Sequence, residues 1–304
     1  MGSTMQQKER EQENSDAPNE VNQLSKIKNF FRKLNRDRLA AVGLVIIFIM
    51  VIVSLIPASL APYDPKDMHW GEEYLPPSSK YTLGTDNMGR DVLSRMIWGT
   101  RTSLIVGLVA VAISSSIGIV LGMTSGFFGG NIDNLIMRFT DTIMTLPSLL
   151  MLIVFSSIFA SRSLWITIIA IGALGWPGIT RITRSRVLSV KNELFIEAAR
   201  GMGTSIPSLL FKHILPSCIA PIIVAVTMSI PRVMITEASL SFLGLGDPRI
   251  ISWGGMLAGG RSVLRVAWWV AFFPGLAIFI TVLAFNFFGD GLRDALDVRQ
   301  GNEV

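Results

Sequence analysis

The sequence predicts an all-α membrane protein with six transmembrane helices and both termini in the cytoplasm. Half of its 304 residues are apolar and only 16% are charged, against about 25% charged in an average soluble domain. The apolar residues gather in six charge-poor stretches, each near the roughly 20 residues a helix needs to cross about 30 Å of hydrocarbon. The 27 Lys and Arg fall mainly between alternate stretches, which orients the chain.

Residues 1–25, rich in Gln, Glu, Asn and Ser and poor in large apolar residues, read as a disordered cytoplasmic tail. Residues 26–38 interleave Lys26, Lys28, Arg32 and Lys33 with Ile27, Phe30, Phe31 and Leu34. That pattern suits a basic amphipathic helix on the lipids of the anionic inner leaflet, and equally the positive flank that sets topology. The first span, Leu39–Ala61, carries no charge. It is too long for a signal-peptide core and follows a long polar stretch, so a retained anchor is expected. Gln6 stands where N-myristoylation needs Ser or Thr. Residues 62–101 then form an extracytoplasmic segment, and residues 102–299 a core domain with five further spans.

Those spans are Thr102–Ser125, Phe139–Ala160, Leu164–Thr180, Ile214–Ala238 and Val266–Phe288. With the N-terminus inside, the inside segments 1–38, 126–138, 181–212 and 289–304 hold 17 of the 27 basic residues. The outside segments hold nine, and Arg232 lies within a span. Arg90, Arg95 and Arg101 fit this topology least well, because it places them outside.

What the chain lacks limits its chemistry. One cysteine, Cys218, excludes an internal disulfide and any CxxC site, and two histidines, His69 and His213, are too far apart for HExxH. Neither a GxxxxGK[ST] loop nor a GxSxG elbow is present, and Gly201-Met202-Gly203 lacks the third glycine of a dinucleotide fingerprint. The chain is therefore expected to be no enzyme, with no metal, cofactor or nucleic acid of its own. If ATP drives it, another chain hydrolyses the ATP.

The polar stretch Arg181–His213 is suited to contacting a partner. Glu197-Ala198-Ala199 is followed after three residues by Gly203, and ten residues later by Ile214-Leu215-Pro216. This reads as a short helix with small residues on one face, a glycine turn, and a second helix. Glu197, Arg200 and Lys212 supply charge for docking.

The whole spacing, at 193–216, resembles the EAA coupling loop of ABC importer membrane subunits. His213 stands where the usual pattern has Ile, and this His-Ile-Leu-Pro variant is similar to the peptide and nickel branch. Leu83-Gly84-Thr85-Asp86 through Arg95 resembles the segment before the second span of the C-type subunit of dipeptide and oligopeptide permeases. Trp176-Pro177-Gly178 with Arg181 and Arg184 resembles the lead-in to the coupling loop, Glu237 through Gly246 with Ser252-Trp253-Gly254 the end of the fifth span and the external loop after it, and Gly289 through Asp297 the terminal segment, although Val298 replaces a common proline. The resemblance implies a type I ABC importer transmembrane domain in a bacterial cytoplasmic membrane. It implies a homologous B-type permease subunit as partner, two cytoplasmic ATPase subunits binding ATP and Mg, and an extracytoplasmic solute-binding protein. Peptide is the expected cargo and nickel or a nickel chelate the alternative. Coupling is expected at Glu197, Ala198, Ala199, Arg200, Gly203, His213, Leu215 and Pro216.

A secondary transporter or channel is the competing class. Inverted repeats and midplane acids would mark it, and neither is evident. Ionisable residues within spans usually face the bundle interior. Arg138 and Asp141, three apart, are expected to pair along one helix. Arg232 and Glu237, five apart, are candidates for the translocation path or its outer gate. Ser114, Gly118, Gly122, Gly126 and Gly130 form a small-residue stripe expected to pack within the subunit. Met137, Met144 and Met151 are expected in the core or facing lipid rather than along a metal path.

Overall fold

The computed structural model describes residues 37–158 and 163–296. The tail expected at 1–25, and nearly all of the amphipathic helix expected at 26–38, lie outside them. Among the described residues there are helices and no strands.

Helix α1, Arg38–Leu55, starts where the Asp37 carboxylate accepts the Leu39 N–H at 2.9 Å, a standard way of satisfying an orphan helix donor. It breaks at Ile56, and α2, Pro57–Leu60, adds a single turn. The first expected span is thus two pieces, because Pro57 cannot donate into the preceding helix. Residues 62–91 form turns with one isolated bridge, Thr85 to Asp91.

Helix α3, Val92–Phe128, is 37 residues long, about 55 Å at 1.5 Å per residue. It begins ten residues before the span expected from Thr102, because Asp91 caps it and Arg95 is neutralised by Asp86 at 3.4 Å. Helices α4, Gly130–Thr145, and α5, Ser148–Ile158, follow and meet at 86°. The expected straight span Phe139–Ala160 is therefore bent. Pro147 both removes an N–H and drives Leu146 extended, at φ −87° and ψ 133°.

Helices α6, Leu164–Leu174, and α7, Trp176–Val190, join at Gly175 into one apolar run of 27 residues, longer than the expected Leu164–Thr180. Then come α8, Leu194–Gly201, the single turn α9, Ile206–Ser208, and a wide π-helical turn, Leu209–Ile214, that runs into α10, Leu215–Phe242. Helix α11, Trp253–Gly260, a 3-10 turn at Arg261–Val263 and α12, Trp269–Leu296, complete the order. Among the described residues five helical runs are long and apolar enough to cross a membrane, and six if the bent pair is one span.

Helix α3 lies at the centre, and its small residues let α7 approach closely. A Cβ on Gly122 would lie 2.6 Å from the Thr180 carbonyl oxygen, and one on Gly118 would lie 2.8 Å from the Ile179 Cβ. The stripe from Ser114 to Gly126 thus packs inside the subunit, while nothing approaches Gly130. On the other side α12 packs against α1, where a Cβ on Gly43 would meet the Ala284 carbonyl. One apolar core joins α3, α6, α10, α11 and α12, and a smaller one gathers Met123, Val187, Ile196, Ala199, Leu209 and Ile214 beneath α8.

Candidate functional site

Three features stand out: the α8 loop at one end of the bundle, a cavity midway, and a folded cap at 62–91 against the other end. Helix α8 buries Ile196 and Ala199 in the smaller core and turns Leu194 outward, 83% exposed, with Phe195 and Met202. Glu197, Ala198 and Arg200 are exposed beside them. A short helix with both apolar and charged residues turned out has the character of a docking surface. It ends on Gly203 at φ +79°. The Gly203 N–H bonds the Arg200 carbonyl at 3.0 Å and the Thr204 N–H bonds the Ala199 carbonyl at 3.2 Å, the paired bonds of a Schellman turn. Arg200 also lies over the Phe127 ring, 5.5 Å from its centre.

The π-helical turn then returns the chain to the bundle. His213 is half-buried and its carbonyl accepts the Ser217 hydroxyl at 2.8 Å. Leu215 and Pro216 follow it directly at the start of α10, with the Leu215 N–H bonding the Leu210 carbonyl. Arg184 grips Asp133 with two hydrogen bonds of 2.6 and 2.5 Å, Ser125 donates to the same carboxylate, and Lys191 reaches the Gly126 carbonyl at 2.9 Å. These bonds tie α3, α4 and α7 together next to α8. Asp141 pairs with Arg181 at 2.6 Å, and no ion pair joins it to Arg138 among the described residues. The partner expected one turn away is replaced by one on α7.

A cavity of about 600 Å³ lies between the α4–α5 bend, the α6–α7 junction and the middle of α10. Ala225, Ser229, Arg232 and Thr236 face it at helical spacing from α10, with Met144, Ser148 and Met151 opposite. Arg232 is the single charged residue in its lining. Glu237 faces elsewhere. It is 2% exposed, accepts the Ser241 hydroxyl at 2.7 Å, and sits beside Ser252 at a void of about 10 Å³, room for one water at most. The structure therefore separates two residues that the sequence grouped together. Met144 and Met151 line the cavity, and Met137, two turns earlier on α4, does not.

The cap is built on Asp86. Its carboxylate takes Arg90 at 2.8 Å and Arg95 at 3.4 Å and also accepts the Met88 and Arg90 backbone N–H groups. Arg90 and Arg95 are thus both held by one carboxylate within the cap. The Trp269 indole donates to the Thr85 carbonyl at 3.1 Å and the Trp253 indole to the Met96 carbonyl at 3.1 Å, fastening the cap and α11 to the spans. At the cap surface Lys80 bonds Glu72 at 2.5 Å and the Tyr81 hydroxyl donates to the same carboxylate. These two donors hold Glu72 below the usual carboxylate range, and Glu72 in turn raises Lys80. The LGTD-to-Arg95 motif is thus a structural cap.

Comparison with known proteins identifies what this architecture belongs to. The family described as binding-protein-dependent transport system inner membrane component matches residues 118–302. The chain belongs to this family. The N-terminal transmembrane domain of oligopeptide transport permease C matches residues 25–77. A dipeptide transport system permease protein of Haemophilus influenzae is 38% identical over 93% of this chain and 98% of its own length. An oligopeptide transport system permease protein of Bacillus subtilis is 38% identical over 90% of each chain. A glutathione transport system permease protein of Pectobacterium atrosepticum is 39% identical, over 89% and 90%. The inward-facing MetNI methionine ABC transporter shares the fold, with a TM-score of 0.54 over 67% of this chain and 97% of that one, at 19% identity.

The protein is accordingly a multi-pass inner-membrane permease subunit of an ABC importer with the type I transmembrane fold. ATP hydrolysis lies in partner subunits, and a binding protein serves the assembly. Sequence reasoning missed the cavity walls at Ser148 and Ser229 and the Asp133–Arg184 clamp. The three-to-four-residue spacing of Ser229, Arg232 and Thr236 was the available signal for the walls. The clamp, spanning 51 residues of sequence, left none.

Proposed function

We propose that this chain forms half of the translocation path of an ATP-driven importer of di- or oligopeptides, paired with a homologous B-type permease subunit. Helix α8 is its coupling element. Two cytoplasmic ATPase subunits receive α8, and their closure on ATP moves it and switches access to the cavity. An extracytoplasmic binding protein delivers cargo at the end that carries the cap. The α8 loop is the observation that carries this reading: exposed Leu194, Phe195 and Met202 beside Glu197, held on a Schellman turn at Gly203. The names of the dipeptide, oligopeptide and glutathione relatives support peptide over nickel as cargo.

The test is reconstitution with the ATPase subunits and binding protein. Replacing Glu197 and Gly203 by bulky residues is expected to abolish cargo-stimulated ATP hydrolysis while the complex still assembles. Full stimulation in those variants would overturn the coupling role. Ion-gradient-driven uptake by the chain alone would favour a secondary transporter instead.

A further inference from the structure

We infer that Arg232 is the group in the transport path that receives a carboxylate of the cargo. This rests on the peptide-importer reading, and names the part of a peptide that the path holds.

Arg232 lies in α10 with its charge unpaired. No ion pair and no side-chain hydrogen bond engages its guanidinium among the described residues; only its backbone carbonyl is used, by the Thr236 hydroxyl at 2.8 Å. The acids that might neutralise it are engaged elsewhere. Glu237 is buried with Ser241, Asp141 holds Arg181 and Asp133 holds Arg184. A cation in a span is costly unless it pairs or faces a water-filled path, so such a residue marks the route of a solute. Here it is the single charge lining a cavity of about 600 Å³, a volume in the range that encloses small ligands.

The rest of the lining matches the constant and variable parts of a peptide. The Ser229 and Thr236 hydroxyls, about one turn to either side of Arg232, already donate to carbonyls of their own helix at 2.7 and 2.8 Å. What they present to the cavity is acceptor lone pairs, suited to the N–H groups of a peptide. Met144 and Met151 line the opposite wall, and flexible thioethers accommodate side chains of differing shape. A planar donor fork is what a carboxylate binds best, through two parallel hydrogen bonds. The surface is thus selective for a group every peptide carries and permissive toward the side chains.

The test uses the complete importer in proteoliposomes with its binding protein. Import rates are compared for a neutral dipeptide and its C-terminal amide, each saturating the binding protein. The wild type is expected to favour the free acid by about tenfold or more, the scale of a charge-assisted two-pronged contact. Arg232→Gln should bring the ratio close to one, and Arg232→Lys, which keeps charge without the fork, should lie between. Lys guards against loss of assembly in the Gln variant. A ratio unchanged in both variants, or a wild-type ratio of one, would overturn the assignment and leave peptide import standing. If the wild type imports neither a dipeptide nor a longer oligopeptide, the peptide reading itself fails. A dipeptide amide with an acidic side chain tells the two carboxylate sources apart: rescue by that side chain means that any carboxylate serves, and no rescue means that the terminal one is read.

Discussion

Replacing Gly203 tests the α8 turn by backbone strain alone. The residue sits at φ +79°, and a Cβ there would meet nothing within 4 Å. Alanine at this position therefore introduces no clash, and its whole effect is the cost of a left-handed backbone for an L-residue, roughly 1–2 kcal/mol. Opening the Schellman turn should become about 5- to 30-fold more frequent. Amide hydrogen exchange reads this directly, because the Met202, Gly203 and Thr204 N–H groups are bonded to the Ala198, Arg200 and Ala199 carbonyls, and exchange follows local opening. Peptides covering 194–214 in Gly203→Ala should exchange faster by that factor. Gly203→Asn should shift less, since asparagine enters this conformation more readily. The control is Gly201→Ala. It is equally open but has no positive φ, so exchange should stay unchanged or slow slightly. Equal exchange in Gly203→Ala and Gly201→Ala would refute the claim that the turn holds α8 in place.

Three further outcomes are expected. Gly122→Ala forces a Cβ to 2.6 Å from the Thr180 carbonyl and the Thr183 Cβ, a strain of about 1–3 kcal/mol; its thermal midpoint in detergent should fall, while Gly178→Ala, with nothing within 4 Å, should not. Trp269→Phe removes the indole donor to the Thr85 carbonyl and costs about 1–3 kcal/mol by leaving a buried acceptor unmet, so proteases should nick residues 62–91 faster. The Glu72 pair also gives the cap an acid limit. Because the folded value lies below the ordinary 4.5, the stabilisation is complete above the unfolded value and is lost as pH falls through the folded one. Proteolysis of the cap should therefore be flat from neutral pH down to about 5 and rise in stronger acid, and Glu72→Gln should flatten that rise.

The spans were legible because a bilayer demands long apolar runs, and Leu39–Ala61 and Val266–Phe288 announce themselves by having no charge. Their ends were less so. A charge-counting boundary stops before Arg101, whereas the helix runs back to Val92, because Asp86 compensates Arg95 through a fold of the cap that hydropathy does not register. The bend at Leu146–Pro147 was written in the sequence as a proline, but a proline within a span is compatible with a straight, kinked or broken helix. What decided it here is that Leu146 is extended, which leaves α4 and α5 as separate helices at 86°.

The candidate site was legible in proportion to how local it is. The α8 loop occupies one continuous stretch, so its helix, its glycine and its return to the bundle all left marks in order. The cavity draws on α3 through α7 and α10, and most of its wall is Ile, Leu, Met and Ser, residues indistinguishable in type from those that face lipid. Arg232 was the exception, since charge in a span is rare enough to be noticed. Its neighbour in that argument, Glu237, shows why rarity is not assignment. Five residues turn a helix by about 500°, roughly 140° past a full circle, so the two side chains leave α10 on different faces. One reaches the cavity; the other is buried with Ser241 and Ser252 beneath α11. A carboxylate satisfied by hydroxyls and shut from the cavity holds structure together, whereas a guanidinium with no partner among the described residues and a cavity before it is placed to bind cargo.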